Sequence, residues 1–314
     1  MILVYYPTCI RVVRNFKTKI LGLMENFDFP DFAKYEVILG EEFNKFASCG
    51  PCILGVDEAG RGPVLGPMVY GLAIIKENNQ KLLKKLEVDD SKALTEKKRE
   101  KIFSEMNNDD EIKKNLTYRL HIISPRMISC RMLMDKKGVL NDISHTSCID
   151  LIQAALDVGI NVKAVYVDTV GPKDKYQKKL QDIFKDISIV VSEKADSKYP
   201  IVSAASIAAK VTRDNLISNW NYIEGDEYSI KIIGSGYPGD MKTRQYLDDS
   251  CDKVFGFTSL VRFSWDTAET ILQKKCYKVN WDPYNVIKAN EKPGSKKRPA
   301  VTILNYFNKV PKRE

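Results

Sequence analysis

Histidine is nearly absent from this 314-residue chain: His121 and His145 are the only two, and neither stands in a short-spaced group of paired cysteines and histidines. A zinc site needs such a group, so zinc chemistry has no candidate centre, and both histidines read as surface or second-layer residues. No apolar run approaches the length of a membrane span, which removes the membrane from the expected partners. No secretory leader is expected from the opening residues, and the seven cysteines are an odd number. Reduced thiols of a cytosolic or nuclear protein fit that better than a disulfide framework. Internal repeats are missing too.

What is present is an ordinary globular balance, 44% hydrophobic and 29% charged, with room for one large domain or two modest ones. The net charge of +8 suits a polyanionic partner. Cys49-Gly50-Pro51-Cys52 has the spacing of a dithiol redox site. Such sites open a helix, whose N-terminus lowers the thiol pKa. Here an apolar strand follows, so the segment reads as a turn before that strand.

The chain is organised around Ile53-Leu54-Gly55-Val56-Asp57-Glu58-Ala59-Gly60-Arg61-Gly62-Pro63-Val64-Leu65-Gly66. A short apolar run ends in two carboxylates, a glycine-arginine-glycine turn follows, and a second apolar run extends from Met68 to Ile75. That is a buried strand, a functional turn and another strand. Adjacent carboxylates at the end of a buried strand require something positive nearby. The glycines permit close approach of a backbone to a ligand.

Further along, Asn78 to Leu86 reads as helix or loop, and Glu96 to Met106 as a helix capped by Ser91 or Thr95. Leu116 to Ile123 alternates as a third strand. Asp142 to Leu156 is helical, and Val162 to Val167 is a continuous apolar strand ending in Asp168. Lys173 to Phe184 is a helix, Ile187 to Val191 a strand, and Ser203 to Trp220 a helix rich in small residues that can pack tightly on a sheet. Consecutive strands followed by alternating helices and strands predict a mixed sheet. After Trp281 the text becomes basic and rich in proline, asparagine and lysine, the composition of a disordered tail.

Four acids stand where strands end or helices begin: Asp57, Glu58, Asp168 and Asp196. Strand neighbours face opposite sides, so Asp57 and Glu58 share a site only if the strand stops between them. Asp168 should meet Asp57 at the same sheet end, on a parallel neighbour. Clustered carboxylates raise one another's pKa, and hard divalent cations such as Mg²⁺ or Mn²⁺ relieve that. Two such ions roughly 3.5–4 Å apart clamp an in-line phosphoryl displacement. Taken alone, Asp196 before Ser197-Lys198-Tyr199-Pro200 is equally a turn residue.

The opening motif, with Asp90-Ser91-Lys92, Tyr166-Val167-Asp168-Thr169-Val170-Gly171, Lys194-Ala195-Asp196-Ser197-Lys198-Tyr199-Pro200, Gly234-Ser235-Gly236-Tyr237-Pro238 and Val261-Arg262-Phe263-Ser264-Trp265, resembles the type 2 ribonucleases H, the ribonuclease HII family. The likeness covers roughly residues 50 to 275 and is greatest to the catalytic chain of the eukaryotic enzyme. It implies an α/β fold: a ribonuclease H-like mixed sheet flanked by helices, with a smaller C-terminal helical lobe. The expected division is an N-terminal extension over 1–50, a catalytic domain over 51–220, the lobe over 221–283 and a basic tail over 284–314.

The resemblance also implies an endonuclease cutting RNA in RNA/DNA hybrids and ribonucleotides embedded in duplex DNA, in primer removal and ribonucleotide excision. Asp57, Glu58, Asp168 and Asp196 would be its catalytic, metal-holding acids, with two Mg²⁺ or Mn²⁺ ions, leaving 3′-hydroxyl and 5′-phosphate ends. Gly60, Arg61, Gly62 and Tyr237 would recognise the ribonucleotide through its 2′-hydroxyl, with a plain turn and a packing tyrosine as the competing reading. Lys92, Lys198, Lys210 and Arg213 are phosphate candidates by motif position, with Ser203 or Ser206 as added donors. Where the family commonly has Asn-Leu-Asn, this chain has Val139-Leu140-Asn141, so a DNA-phosphate contact is lost or falls to Asn141. A resolvase or transposase of the same fold group, and a non-catalytic hybrid-binding protein, are the rivals. The Gly-Arg-Gly turn argues against the first and the four acids against the second.

Eukaryotic members of the family work as heterotrimers, so accessory chains are expected partners. In the tail, Ile303, Tyr306 and Phe307 have the spacing of a sliding-clamp-binding peptide, with Ala300 where a glutamine usually stands. The same segment could instead pack on an accessory chain, and Lys296-Lys297-Arg298 could serve nuclear import. The expected location is the nucleus, with the cytoplasm as an alternative. An organelle presequence at Met1 to Leu23 is disfavoured by Tyr5, Tyr6 and Pro7.

Overall fold

The computed structural model describes residues 11–12, 36–40, 43–88, 94–133, 140–225, 228 and 232–277. The expectations for Lys92 and for the tail residues Ile303, Tyr306 and Phe307 lie outside these residues. The apolar run at the opening motif forms β3 (Cys52–Ala59), and the next forms β4 (Met68–Lys76), its antiparallel neighbour. Upstream lie β1 (Arg11–Val12) and β2 (Glu36–Gly40); downstream follow β5 (Leu116–Ile123), β6 (Val162–Asp168) and β7 (Ser188–Ser192). They make one seven-stranded sheet in the order β1-β2-β5-β4-β3-β6-β7. The β2-β5-β4-β3 part is antiparallel, and β3-β6-β7 is parallel. The N-terminal extension therefore contributes strands to the sheet, which its text does not suggest: Glu36–Gly40 is a short strand, and only its pairing to β5 defines it.

The helices are α1 (Lys81–Lys85), α2 (Glu96–Asn108), α3 (Asp110–Asn115), α4 (Pro125–Met132), α5 (Leu140–Asp157), α6 (Lys173–Ile183), α7 (Ala195–Lys198), α8 (Pro200–Ser218), α9 (Met241–Ser250) and α10 (Asp266–Lys275). Thr95 caps α2 by accepting the Lys98 N–H at 3.3 Å. Helices α3 and α4 have no counterpart in the sequence reading. Each is short and starts at its own cap, Asp109 and Ser124.

Two cores cover the sheet's faces. One holds α2 and α8 against Ile53, Ala59, Val69 and Ala73; the other holds α5 and α6 against Leu54, Val56, Leu72 and Val165. Helix α8 comes closest, and its small residues Ala204, Ala205, Ala208 and Ala209 are wholly buried. Opposite them the strands carry glycine. A Cβ on Gly55 would stand 2.5 Å from the Ile201 backbone, and one on Gly71 would stand 2.5 Å from the Ala205 carbonyl oxygen. Helix backbone rests directly on strand backbone there, which fixes α8 along β3.

A third, smaller core joins Val64 and Leu65 of the turn to Trp220, Tyr246, Leu247, Leu260 and Val261. It carries α9 and α10 to the end of the sheet where β3 and β6 finish. Met1–Cys276 make one compact unit; Tyr277–Glu314 make a second, of which only Tyr277 is described.

Candidate active site

Three of the four acids converge on the α8 face of that sheet end. Strand alternation sends Gly55, Asp57 and Ala59 toward α8. Asp57 is almost fully buried, and its Oδ1 accepts the Glu58 N–H at 2.8 Å. Its carboxyl is pushed up to about 7, by burial first and then by the charge of Asp168, with Asp196 adding to the shift and a hydrogen bond from Ser206 opposing it. Asp168 ends β6, parallel beside β3 as expected, and its Oδ1 accepts the Ala195 N–H at 2.7 Å. That bond ties the start of α7 to the strand end. Asp196 follows in the first turn of α7 and is buried. The turn begins at Lys194, a non-glycine residue at φ 52°, a left-handed conformation that costs of order 1–3 kcal/mol. The surrounding bonds hold it, and the result is an acid turned inward.

Glu58 differs from expectation. The strand does not stop between the two acids: Ala59 still pairs with Val69. Glu58 therefore points to the other face, where its charge is felt by the buried Tyr70, Tyr176 and Cys148. His145 stacks on Tyr176 there, centroids 4.0 Å apart, while His121 is buried in β5.

Among the described residues no three Asp, Glu, His or Cys side chains close around one point. That does not disqualify Mg²⁺ or Mn²⁺. Such an ion is held by one or two carboxylates and completed by water and substrate phosphate oxygens, not by an all-protein cage. A buried acid whose ionisation is opposed by two like charges is a fitting first ligand.

The turn after β3 forms the site's rim. Gly60 adopts φ 78°, and a Cβ there would collide with the Arg213 side chain. The Tyr237 ring lies against Gly62, 3.2 Å from where a Cβ would be, and is half-exposed. The structure thus brings together the two halves of the expected sugar reader. Arg61 donates to Asn141 Oδ1. Asn141 is therefore joined to the turn through its side-chain oxygen, which leaves its amide N–H groups as the donors a phosphate would meet.

The cationic candidates separate. Lys198 is exposed, and its Nζ donates to Ser192 Oγ and the Glu193 carbonyl, at 2.9 and 2.8 Å. Lys210 lies one turn beyond Ser206 on α8, near Asp214. Arg213 is no phosphate ligand: it is buried and donates to the carbonyls of Pro67 and Leu65. Ser203 is wholly buried, and Ser206 serves Asp57. The Cys49/Cys52 pair does not have the setting of a redox site. Cys52 is the first residue of a strand, and burial pushes its thiol up to about 11, opposite to what redox catalysis needs.

The sequence by itself assigns no role to Arg262 or Trp265. Arg262 is fully buried and donates to the carbonyls of Gly66 (2.8 Å), Arg61 (3.0 Å) and Gly60 (2.5 Å). Its guanidinium lies over the Trp265 ring at 4.9 Å, and Trp265 Nε1 donates to the Gly62 carbonyl at 3.2 Å. The only sequence signal is their shared motif, which places them near no partner.

Comparison with known proteins shows the family of the chain. The family model described as Ribonuclease HII matches residues 54–268. The A subunit of ribonuclease H2 from Caenorhabditis elegans is 53% identical over 253 residues, covering 79% of this chain and 84% of that protein. Among solved structures, ribonuclease H2 from Pyrococcus horikoshii superposes with a TM-score of 0.59 at 33% identity, covering 71% of this chain and 98% of the other. The PCNA:RNase HII complex from Archaeoglobus fulgidus gives 0.51 at 31% identity, covering 63% and 85%.

Proposed function

Because the chain belongs to the ribonuclease HII family and is a ribonuclease H, we propose that it cuts RNA in RNA/DNA hybrids and cuts 5′ to ribonucleotides embedded in duplex DNA. The observation that carries this reading is the juxtaposition at one sheet end: buried Asp57 with Asp168 and Asp196, beside a glycine turn capped by Tyr237. Asp57, Asp168 and Asp196 would hold divalent cations, Mg²⁺ or Mn²⁺, two in the active complex. Glu58, whose side chain leaves the other face of the same strand, is kept as a fourth acid on its motif position and not on a shared face. Bound there, the cations supply Lewis-acid activation of water and neutralise charge on the phosphate, so that the products carry 3′-hydroxyl and 5′-phosphate ends.

The chain's own groups do the rest. Ser206 and the Glu58 N–H orient the Asp57 carboxylate, and the Ala195 N–H orients that of Asp168. The Gly60-Arg61-Gly62 backbone and the Tyr237 ring read the sugar, so a strand without a 2′-hydroxyl is bound more weakly and is not aligned. Lys198 and Lys210 supply positive charge along the phosphate path.

Tyr237→Ala is expected to lower kcat/KM on a single embedded ribonucleotide about 100-fold and on a continuous RNA strand about 10-fold or less. Only one 2′-hydroxyl identifies the first substrate, so loss of the ring is felt most there. Equal losses on both would make Tyr237 a packing residue.

The relatives' designation as one lettered component of ribonuclease H2 supports assembly with accessory chains, and the archaeal PCNA complex supports clamp contact through Ile303, Tyr306 and Phe307. The Lys296-Lys297-Arg298 cluster supports a nuclear location. Calorimetry of a peptide spanning residues 295–314 should show weak binding to a sliding clamp, lost on Tyr306→Ala with Phe307→Ala. Absence of heat would remove the clamp reading.

A further inference from the structure

We propose that Arg262 is a specificity-positioning residue, which holds the Gly60-Arg61-Gly62 backbone so that the N–H groups of Arg61 and Gly62 face the substrate sugar. The inference rests on the reading above that this turn meets a 2′-hydroxyl. Each trans peptide is planar, with its carbonyl and its N–H on opposite sides. The Gly60 carbonyl shares a plane with the Arg61 N–H, and the Arg61 carbonyl with the Gly62 N–H. Arg262 takes both carbonyls from the buried side. Both N–H groups are thereby turned away from it, and among the described residues neither donates to another protein group. The next carbonyl, of Gly62, is taken by Trp265, and the N–H that would share its plane is missing because Pro63 follows. Two donors are left, at the residue the Tyr237 ring covers and the one before it.

The rest of the turn is pinned in the same way. Arg262 takes the Gly66 carbonyl, Arg213 takes those of Leu65 and Pro67, and the Arg262 N–H takes that of Val64. The bonds of Arg262 go to neutral carbonyls, in a place where burial strongly disfavours its charge. A guanidinium held so deep among neutral acceptors is a costly means of packing a loop, since an apolar side chain would fill the space at lower cost. Its fork of donors does what no apolar residue can: it sets the angle of several peptide planes at once.

The test measures binding of the purified full-length chain to two labelled duplexes in EDTA, where cleavage does not proceed. The duplexes are identical except for one 2′-hydroxyl. The wild type should prefer the ribose duplex by about 10-fold, and Arg262→Lys should reduce that preference to within about 2-fold of unity. Because the ratio is taken within each variant, a partly folded preparation scales both affinities and cancels. Trp265→Phe, which keeps the ring beneath the guanidinium and drops only the bond to Gly62, should give an intermediate ratio. An unchanged ratio in Arg262→Lys overturns the proposal. If that variant does not fold, an unchanged ratio in Trp265→Phe overturns it instead. A wild type without preference contradicts the reading of the turn itself, a distinguishable result.

Discussion

Asp57→Asn, and equally Asp168→Asn, should lower cleavage of a labelled hybrid by at least about 1,000-fold while its affinity stays within a few-fold. Asparagine keeps the size of the side chain and removes the charge that a divalent cation needs. The hybrid is held elsewhere, by the turn, Tyr237 and the lysines, so binding survives. The same substitution has a second signature. In the ion-free protein the Asp57 carboxyl sits near 7, well above the unfolded value of 3.8. A raised carboxyl favours the folded state while protonated, so that contribution is fully present below the unfolded value and is lost as pH rises through about 7. Mg²⁺ competes with that proton. The rise in Tm on adding Mg²⁺ should therefore be larger at pH 8 than at pH 5.5 in the wild type. In Asp57→Asn the pH dependence of that rise should shrink. Near-normal cleavage by Asp57→Asn would remove the carboxylate mechanism.

Gly55→Ala is expected to lower stability by about 2–4 kcal/mol, with Tm falling accordingly. The added Cβ would meet the Ile201 backbone at 2.5 Å, and neither partner is a flexible side chain that can turn aside. Strand or helix must shift, and α8 carries Ser206, the hydroxyl partner of Asp57. Activity should fall with stability, not independently of it. A chemical denaturation curve displaced by less than 0.5 kcal/mol (about the range of a neutral surface change) would mean that α8 can lift off β3 cheaply.

That close approach is half visible in the sequence. The small residues after Ser203 announce a helix able to pack tightly, but the glycines that receive it lie on two strands, and nothing in one sequence links Gly55 to Ile201. The apolar runs reveal the five strands β3 to β7 because period and length act locally. Asp57 and Asp168 are identifiable because a carboxylate at the end of a buried strand must be compensated. Glu58 departs from its expected place for a nonlocal reason: pairing of Ala59 to Val69 keeps the strand straight through both acids. Arg213 and Arg262 are the hardest to read. A buried guanidinium looks like a surface cation until the loop it serves is in place, and Arg262 reaches carbonyls about 200 positions earlier in the chain. The chemical groups of the site are therefore more legible than the groups that aim them.

Incubation of the chain in Mg²⁺, alone and with its accessory chains, with two labelled duplexes, one all-DNA and one carrying a single internal ribonucleotide, is the most direct measurement. The ribonucleotide duplex should be cut once, on the 5′ side of that nucleotide, leaving 3′-hydroxyl and 5′-phosphate ends, with the all-DNA duplex intact. Equal cutting of both, or none of either with the accessory chains present, would contradict a site built from clustered carboxylates and a sugar-reading turn.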